Sequence, residues 1–269
     1  KNKEAEEEYR KSVELANFFW KGYFSLGLLY DKQKREKESI ECFEKVVSLN
    51  RSEIVSYSFL ASAYYSEGNR EKAKYYLEEA IKNGINSAHL YQFLGIIYMD
   101  EKEYDKAEDI LNKSIKIDDL SNTRFYLGIL YDKTERQEMM EEQMKKAIEI
   151  DPNNAMALNY LGYTYLINDK NIEEAYKMIR KACRIDPDNG AFLDSLGWAY
   201  YKMGNYRLAK KYLEKAVDKE KDPEVYEHLG YVYMKLKEYD KALVWFGKAY
   251  EITGNKELQK IMDDIRKNI

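Results

Sequence analysis

A short pattern, Leu-Gly-x-x-Tyr, recurs along almost the whole chain. The glycine, or the alanine that replaces it once, lies at Gly27, Ala61, Gly95, Gly128, Gly162, Gly197 and Gly230. Successive positions are 34, 34, 33, 34, 35 and 33 residues apart. A repeat of this length is one supersecondary unit, which can bury its apolar face only against its neighbours. The chain is therefore predicted to be one continuous array of repeats.

The rest of each repeat indicates a pair of helices. Only three prolines occur in 269 residues, and charged residues make up 34%. About twelve residues after the glycine comes a small residue, and a large apolar residue follows four later: Ala73 and Leu77, Ala107 and Leu111, Ala175 and Ile179, Ala209 and Leu213, Ala242 and Phe246. A glycine inside a helix costs about 1 kcal/mol relative to alanine. Its recurrence at one phase predicts that two helices approach closely there.

These residues resemble the tetratricopeptide repeat, whose pattern is W-x-x-L-G-x-x-Y…A-x-x-x-F…P over about 34 residues. The tryptophan position is usually tyrosine here, at Tyr23, Tyr57, Tyr91 and Tyr226. The resemblance implies an all-α fold, a right-handed superhelical solenoid of tandem antiparallel helix pairs. The run from Leu193 to Tyr201, followed by Asp222-Pro223, also looks like the last repeats of bacterial tetratricopeptide adaptors, some of which are envelope lipoproteins.

Counting along this register divides the chain into nine segments. We expect residues 1–19 to be the second helix of a preceding, truncated repeat, and residues 256–269 to be a capping helix. Seven repeats are predicted between them, at residues 20–53, 54–87, 88–120, 121–154, 155–189, 190–222 and 223–255. The chain starts with Lys1 and no apolar signal region, so we interpret it as a fragment or a processed form.

The fourth repeat departs from the pattern. Arg124 stands at the aromatic position, Met140 replaces the small residue, and Met144 takes the large apolar position. The next repeat carries one extra residue near Asn168–Asn171. Because a bulky side chain at a close helix crossing forces the helices apart, we expect this hairpin to be splayed relative to the sixth repeat.

Composition argues against several classes of protein. Lys and Arg number 44 against 48 Asp and Glu, a formal net charge of -4, which does not favour a nucleic-acid partner. The sequence contains no run of about 18 apolar residues, so no membrane span is predicted. His89 and His228 are more than four repeats apart, so we interpret them as polar residues of the surface or of a groove. Cys42 and Cys183 are interpreted as small buried hydrophobes. No catalytic residue, metal site or cofactor is predicted.

The resemblance also implies where a partner binds. In this family the first helix of each repeat lines a concave surface. Carried over to the last three repeats, the candidate contact residues are Asn159, Tyr163, Asp194, Trp198, Tyr201, Glu227 and Tyr231. Large aromatic side chains are typical anchors of protein contacts. The set of Lys, Asn and Arg residues with which related co-chaperones hold the carboxylate of Hsp70 or Hsp90 cannot be assembled from the corresponding positions. The acidic residues instead favour an apolar or basic segment.

We therefore predict a non-enzymatic scaffold or adaptor that binds a protein or peptide in this groove. The alternative is the regulatory or substrate-recruiting region of a larger enzyme, and assembly with a second copy is also open. The compartment is open between the bacterial envelope and the cytoplasm.

Overall fold

The computed structural model describes residues 2–267, which form helices joined by short turns, with no strand among them. The chain divides into two compact units, the first ending at Glu135 and the second starting at Arg136. The helices of the first unit are α1 Asn2–Leu15, α2 Trp20–Lys32, α3 Glu36–Leu49, α4 Ile54–Ser66, α5 Arg70–Lys82, α6 Ala88–Asp100, α7 Tyr104–Ile117 and α8 Ser121–Lys133. The helices of the second unit are α9 Gln137–Ile150, α10 Ala155–Ile167, α11 Ile172–Ile185, α12 Gly190–Lys202, α13 Tyr206–Lys219, α14 Pro223–Lys235, α15 Tyr239–Thr253 and α16 Lys256–Lys267.

This architecture confirms the predicted all-α class. Consecutive helices pack together as hairpins: α2 with α3, α4 with α5 and α6 with α7 in the first unit, and α10 with α11, α12 with α13 and α14 with α15 in the second. The repeat boundaries themselves stay a prediction. Residues 1, 268 and 269 of the predicted terminal segments lie outside the described residues.

The recurring glycine lies where the two helices of a hairpin touch. A Cβ atom on Gly230 would meet the ring of Phe246 at 2.6 Å, and one on Gly197 would meet Leu213 Cγ at 2.6 Å. Phe246 is the large apolar residue of its repeat and is completely buried. The close approach predicted from the glycine phase is therefore confirmed.

This packing gives a test with an internal control. Gly230→Ala should destabilise the chain by about 1–3 kcal/mol, because the new methyl group overlaps a buried ring. Gly247 also lies inside a helix, α15, but a Cβ atom added there would meet no atom of another helix within 4 Å. Gly247→Ala should therefore stabilise the chain by about 0.5–1 kcal/mol, since alanine favours the helix. Urea unfolding of both variants measures the difference, and equal effects would contradict this account of the glycine.

A second recurring contact joins neighbouring hairpins. The tyrosine of the Leu-Gly-x-x-Tyr pattern donates its hydroxyl hydrogen bond to a glutamate of the preceding second helix. The pairs are Tyr64 with Glu44 at 2.8 Å, Tyr98 with Glu78 at 2.9 Å, Tyr131 with Glu108 at 3.0 Å, Tyr165 with Glu141 at 2.6 Å and Tyr233 with Glu214 at 2.6 Å. In the sixth repeat, Tyr200 pairs instead with the hydroxyl of Tyr176 at 3.1 Å. The tyrosine thus fills the space between hairpins and also satisfies its polar end.

The turns inside the hairpins need one residue with a left-handed backbone. Glycine supplies it at Gly68 and Gly204, with φ of 79° and 77°. The turn between α10 and α11 holds two such residues, Asp169 and Asn171, and this is how the extra residue of the fifth repeat is accommodated.

The boundary between the two units falls inside the fourth repeat, because α8 is the last helix of the first unit and α9 is the first helix of the second. Met140 and Met144 of α9 are both buried. Arg124 pairs with Asp119, with its Nε 2.6 Å from Oδ1. The splaying of this hairpin stays a prediction.

Candidate functional site

The first helices of the last three repeats, α10, α12 and α14, lie next to one another in the second unit. They bring together four aromatic residues, which we call the aromatic face: Tyr163, Trp198, Tyr201 and Tyr231. Trp198 stacks on Tyr201 with ring centroids 4.5 Å apart and planes 5° from parallel. The Tyr231 ring is 6.2 Å from the Trp198 ring. All four side chains are partly buried, so part of each stays open to solvent.

His228 of α14 is buried against this face and packs on two of its rings. Its ring stacks on Trp198 at 4.0 Å, 15° from parallel, and the Tyr163 ring is 6.3 Å away. His228 Nδ1 lies 2.9 and 3.1 Å from the two carboxylate oxygens of Asp194 on α12. Both residues are buried. Burial alone would lower the pKa of His228, but the carboxylates of Asp194, Glu224 and Glu227 together outweigh burial and raise that pKa above its usual value.

Acidic side chains flank the aromatic face. The Tyr163 hydroxyl donates a hydrogen bond to Glu224, and burial together with that carboxylate raises the pKa of Tyr163. Burial is also the main cause that raises the pKa of Glu227. Burial and the neighbouring Glu227 raise the pKa of Tyr231 to about 12. Negative charge is therefore concentrated around these rings.

A small cavity of about 150 Å³ opens beside Tyr163. Asn159, Asp194 and Glu224 are among the residues that line it. The Oδ1 atom of Asn159 is buried and has no hydrogen-bond partner. An unsatisfied buried acceptor of this kind costs about 1–3 kcal/mol, so it calls for an explanation.

The predicted contact residues therefore fall into two adjoining places. Tyr163, Trp198, Tyr201 and Tyr231 form the aromatic face, with Glu227 next to Tyr231. The other two, Asn159 and Asp194, line the cavity, and Asp194 is at the same time the buried partner of His228. Whether these residues contact a partner stays a prediction.

Two features of the candidate site were not predicted from the sequence. A surface or groove position was predicted for both histidines; His89 is exposed, whereas His228 is buried against the aromatic face and is not at the surface. The signal was present: Asp194 stands three residues before Gly197 and His228 two before Gly230. Neighbouring first helices place these positions side by side. The hydrogen bond from Tyr163 to Glu224 had no comparable signal, because 61 residues separate the two.

Histidine, cysteine and carboxylate side chains elsewhere in the described part of the chain are the remaining groups that could bind a metal or carry redox chemistry. Within residues 2–267, no three His, Cys, Asp or Glu side chains are grouped so that they could hold a metal ion. Neither cysteine is in a disulfide, and Cys42 is buried while Cys183 is partly buried. Burial raises the pKa of the Cys42 thiol to about 11, which disfavours a reactive thiolate. In the same part of the chain, no helix has the length and apolar character that a membrane crossing requires.

Comparison with known proteins agrees with the sequence pattern. Three sequence models, all of the tetratricopeptide repeat, match this chain: one at residues 21–53, 54–83, 88–119 and 124–154, a second at 144–177 and a third at 195–256. A stretch of 62 residues is 39% identical to the TPR repeat-containing protein MJ1428 of Methanocaldococcus jannaschii. That stretch covers 23% of this chain and only 11% of the relative's length.

Solved structures show the same fold at low sequence identity. The Cut9-Hcn1 hetero-tetramer of APC/C contains a chain with a TM-score of 0.75 and 15% identity, and the match covers 96% of this chain and 51% of that one. A tetratricopeptide repeat protein of Parabacteroides merdae matches with a TM-score of 0.62 and 15% identity, and the match covers 92% of this chain and 98% of that one. Pseudomonas aeruginosa PilF matches with a TM-score of 0.68 and 19% identity, and the match covers 78% of this chain and 96% of that one.

The fold is thus the all-α solenoid of tandem helix pairs that the resemblance implied. Such repeats are typical non-catalytic scaffolds for protein interaction. The matched residues span most of the chain, and it belongs to the tetratricopeptide repeat family.

Proposed function

We propose that the chain is a non-enzymatic scaffold that binds an extended or helical segment of a partner protein on the aromatic face. The observation that carries this proposal is the ordered ring stack at Trp198, which remains partly exposed while Tyr201 and His228 hold it in place. Side chains with few rotatable bonds that are already fixed lose little entropy on binding. A partner can therefore gain apolar contact here at low cost.

The acidic surroundings narrow the class of partner. Glu224 and Glu227 lie beside the rings, and Glu227 is partly buried. A segment that combines an apolar anchor with basic residues would match both features. Complementary charge mainly speeds association and selects the partner, so the association rate should fall as salt is added.

Selection from a random peptide display library on the full chain tests the proposal. We expect selected peptides to contain aromatic or aliphatic anchors, and to bind at least about tenfold more weakly to a Tyr231→Ala variant, because interface energy concentrates in a few large side chains. Tyr75→Ala is the matched control, since Tyr75 is an exposed tyrosine of α5 in the first unit. Equal binding to the parent chain and to Tyr231→Ala would refute the assignment of the site.

A further inference from the structure

The cavity beside Tyr163 has an unusual balance of polar groups. Six of its lining residues carry side-chain oxygens that matter here: Asn159, Tyr163, Asp194, Glu220, Asp222 and Glu224. Among the described residues that line it, none is a lysine or an arginine. The cavity is therefore rich in hydrogen-bond acceptors and poor in donors.

The existing bonds do not use up these acceptors. Asp194 pairs with His228, and Glu224 accepts the hydrogen bond of Tyr163. The Asp222 side chain caps α14 by accepting from the Glu224 backbone N–H at 2.7 Å. Each carboxylate has two oxygens and about four acceptor sites, so each retains capacity. Asn159 Oδ1 is the sharpest case, because it is buried and has no partner at all.

We infer that this cavity receives the guanidinium group of an arginine side chain. The inference deepens the proposed function and rests on it, since the arginine would belong to the segment bound on the aromatic face. A guanidinium group carries five N–H donors in a planar fork and is weakly hydrated. It can therefore donate to two carboxylates at once, and to the Asn159 oxygen when that side chain turns towards the cavity. A lysine ammonium is a compact, strongly hydrated charge, which fits a partly buried site less well.

The test uses a small probe in place of the unknown partner. N-acetyl-arginine amide is titrated into the full chain labelled with ¹⁵N, and the side-chain amide signal of Asn159 is followed. That signal is assigned by its loss in Asn159→Asp. We expect a saturable shift. The neutral analogue N-acetyl-citrulline amide should bind at least about tenfold more weakly, because it cannot form charge-assisted hydrogen bonds. N-acetyl-lysine amide should bind with an affinity between those of the arginine and citrulline probes.

Matched double variants locate the charge requirement. Glu220→Gln with Glu224→Gln should weaken the arginine probe at least about fivefold by removing two carboxylates that line the cavity. Asp218→Asn with Glu251→Gln also removes two exposed carboxylates of the same unit, but neither of them lines the cavity, so affinity should stay unchanged within about twofold. Equal binding of arginine and citrulline, or of arginine and lysine, would overturn the inference. So would equal weakening in the two double variants.

The outcome is separable from that of the proposed function. If peptides selected on the chain require Tyr231 but the arginine probe does not shift Asn159, the aromatic face stands and the arginine cavity falls. If the probe binds as expected but no selected peptide depends on Tyr231, the cavity is a basic-residue site and the aromatic face is not the peptide surface.

Discussion

Asp194→Asn should destabilise the chain by about 1.5–3 kcal/mol at mildly acidic pH, because the buried His228 loses its charged hydrogen-bond partner and must give up its proton to stay buried. Asparagine keeps an oxygen that can accept from the Nδ1–H of His228 but removes the charge. Both side chains are almost completely buried, with relative exposures of 7% for His228 and 8% for Asp194. Water cannot replace the lost partner.

The effect should depend on pH with a definite sign. The folded pKa of His228 is raised above its ordinary value of 6.5. A raised pKa means that the stabilisation is fully present below about pH 6.5 and is lost as the pH rises through the folded pKa. The charged groups around His228 all favour this direction: Asp194 on α12, and Glu224 and Glu227 on its own helix. The rings of Tyr163 and Trp198 complete its surroundings.

Urea unfolding near pH 5.5 and near pH 9 measures this directly. The difference in unfolding free energy between the parent chain and Asp194→Asn should be larger at the lower pH. Asp188→Asn is the control, because Asp188 pairs with Lys219 at 2.7 Å on the surface and is 83% exposed. An exposed pair contributes about 0–1 kcal/mol, so that variant should change little at either pH. A pH-independent effect of Asp194→Asn would show that His228 is not the titrating partner.

Trp198→Ala should weaken the binding of a display-selected peptide by about 2 kcal/mol or more, the size of effect that marks a hot spot. The indole lies between α10 and α14 in the aromatic face and stays partly exposed, and its stacked neighbours Tyr201 and His228 fix its orientation. Truncation removes the apolar contact and also frees the rings around it. Affinity is measured by titration calorimetry, and stability by the melting temperature of the same variant.

The two measurements separate binding from packing. Trp245→Ala is the matched control. Trp245 is also partly buried, with its ring centroid 5.5 Å from that of Tyr226, but it lies on α15, the second helix of its repeat, and not on the aromatic face. It should lower stability without changing affinity. If Trp198→Ala lowers the melting temperature and leaves affinity unchanged, the indole has a packing role only.

The sequence predicted the hairpins well because their determinants are local and periodic. Gly230 and Phe246 are 16 residues apart, and their contact follows from a phase that recurs along the chain, lengthened by one residue only in the fifth repeat. The ends of helices could be predicted equally well where the sequence supplies a capping residue. Asp222 accepts from the Glu224 backbone N–H at the start of α14, and Pro223 follows at the first turn, where its missing N–H costs nothing.

The site was harder to predict because its partners come from different repeats. The sequence around Glu141 indicates only a pair with Lys145, four residues further along the same helix. Glu141 does pair with Lys145, but it also accepts from Tyr165 of the next hairpin. The burial of His228 depends in the same way on Asp194, 34 residues earlier. Periodicity predicts which positions face each other, whereas the chemistry that two of them share depends on both residue identities at once.

The three tryptophans allow the central claim to be tested in one titration. Trp198 lies on the aromatic face, while Trp20 lies in the first unit and Trp245 on α15. Each indole N–H gives its own signal in a ¹⁵N-labelled chain, and Trp198→Phe identifies the one from the face. Addition of a display-selected peptide should shift the Trp198 signal and leave the other two in place. A shift of the Trp20 or Trp245 signal with Trp198 unmoved would contradict the account.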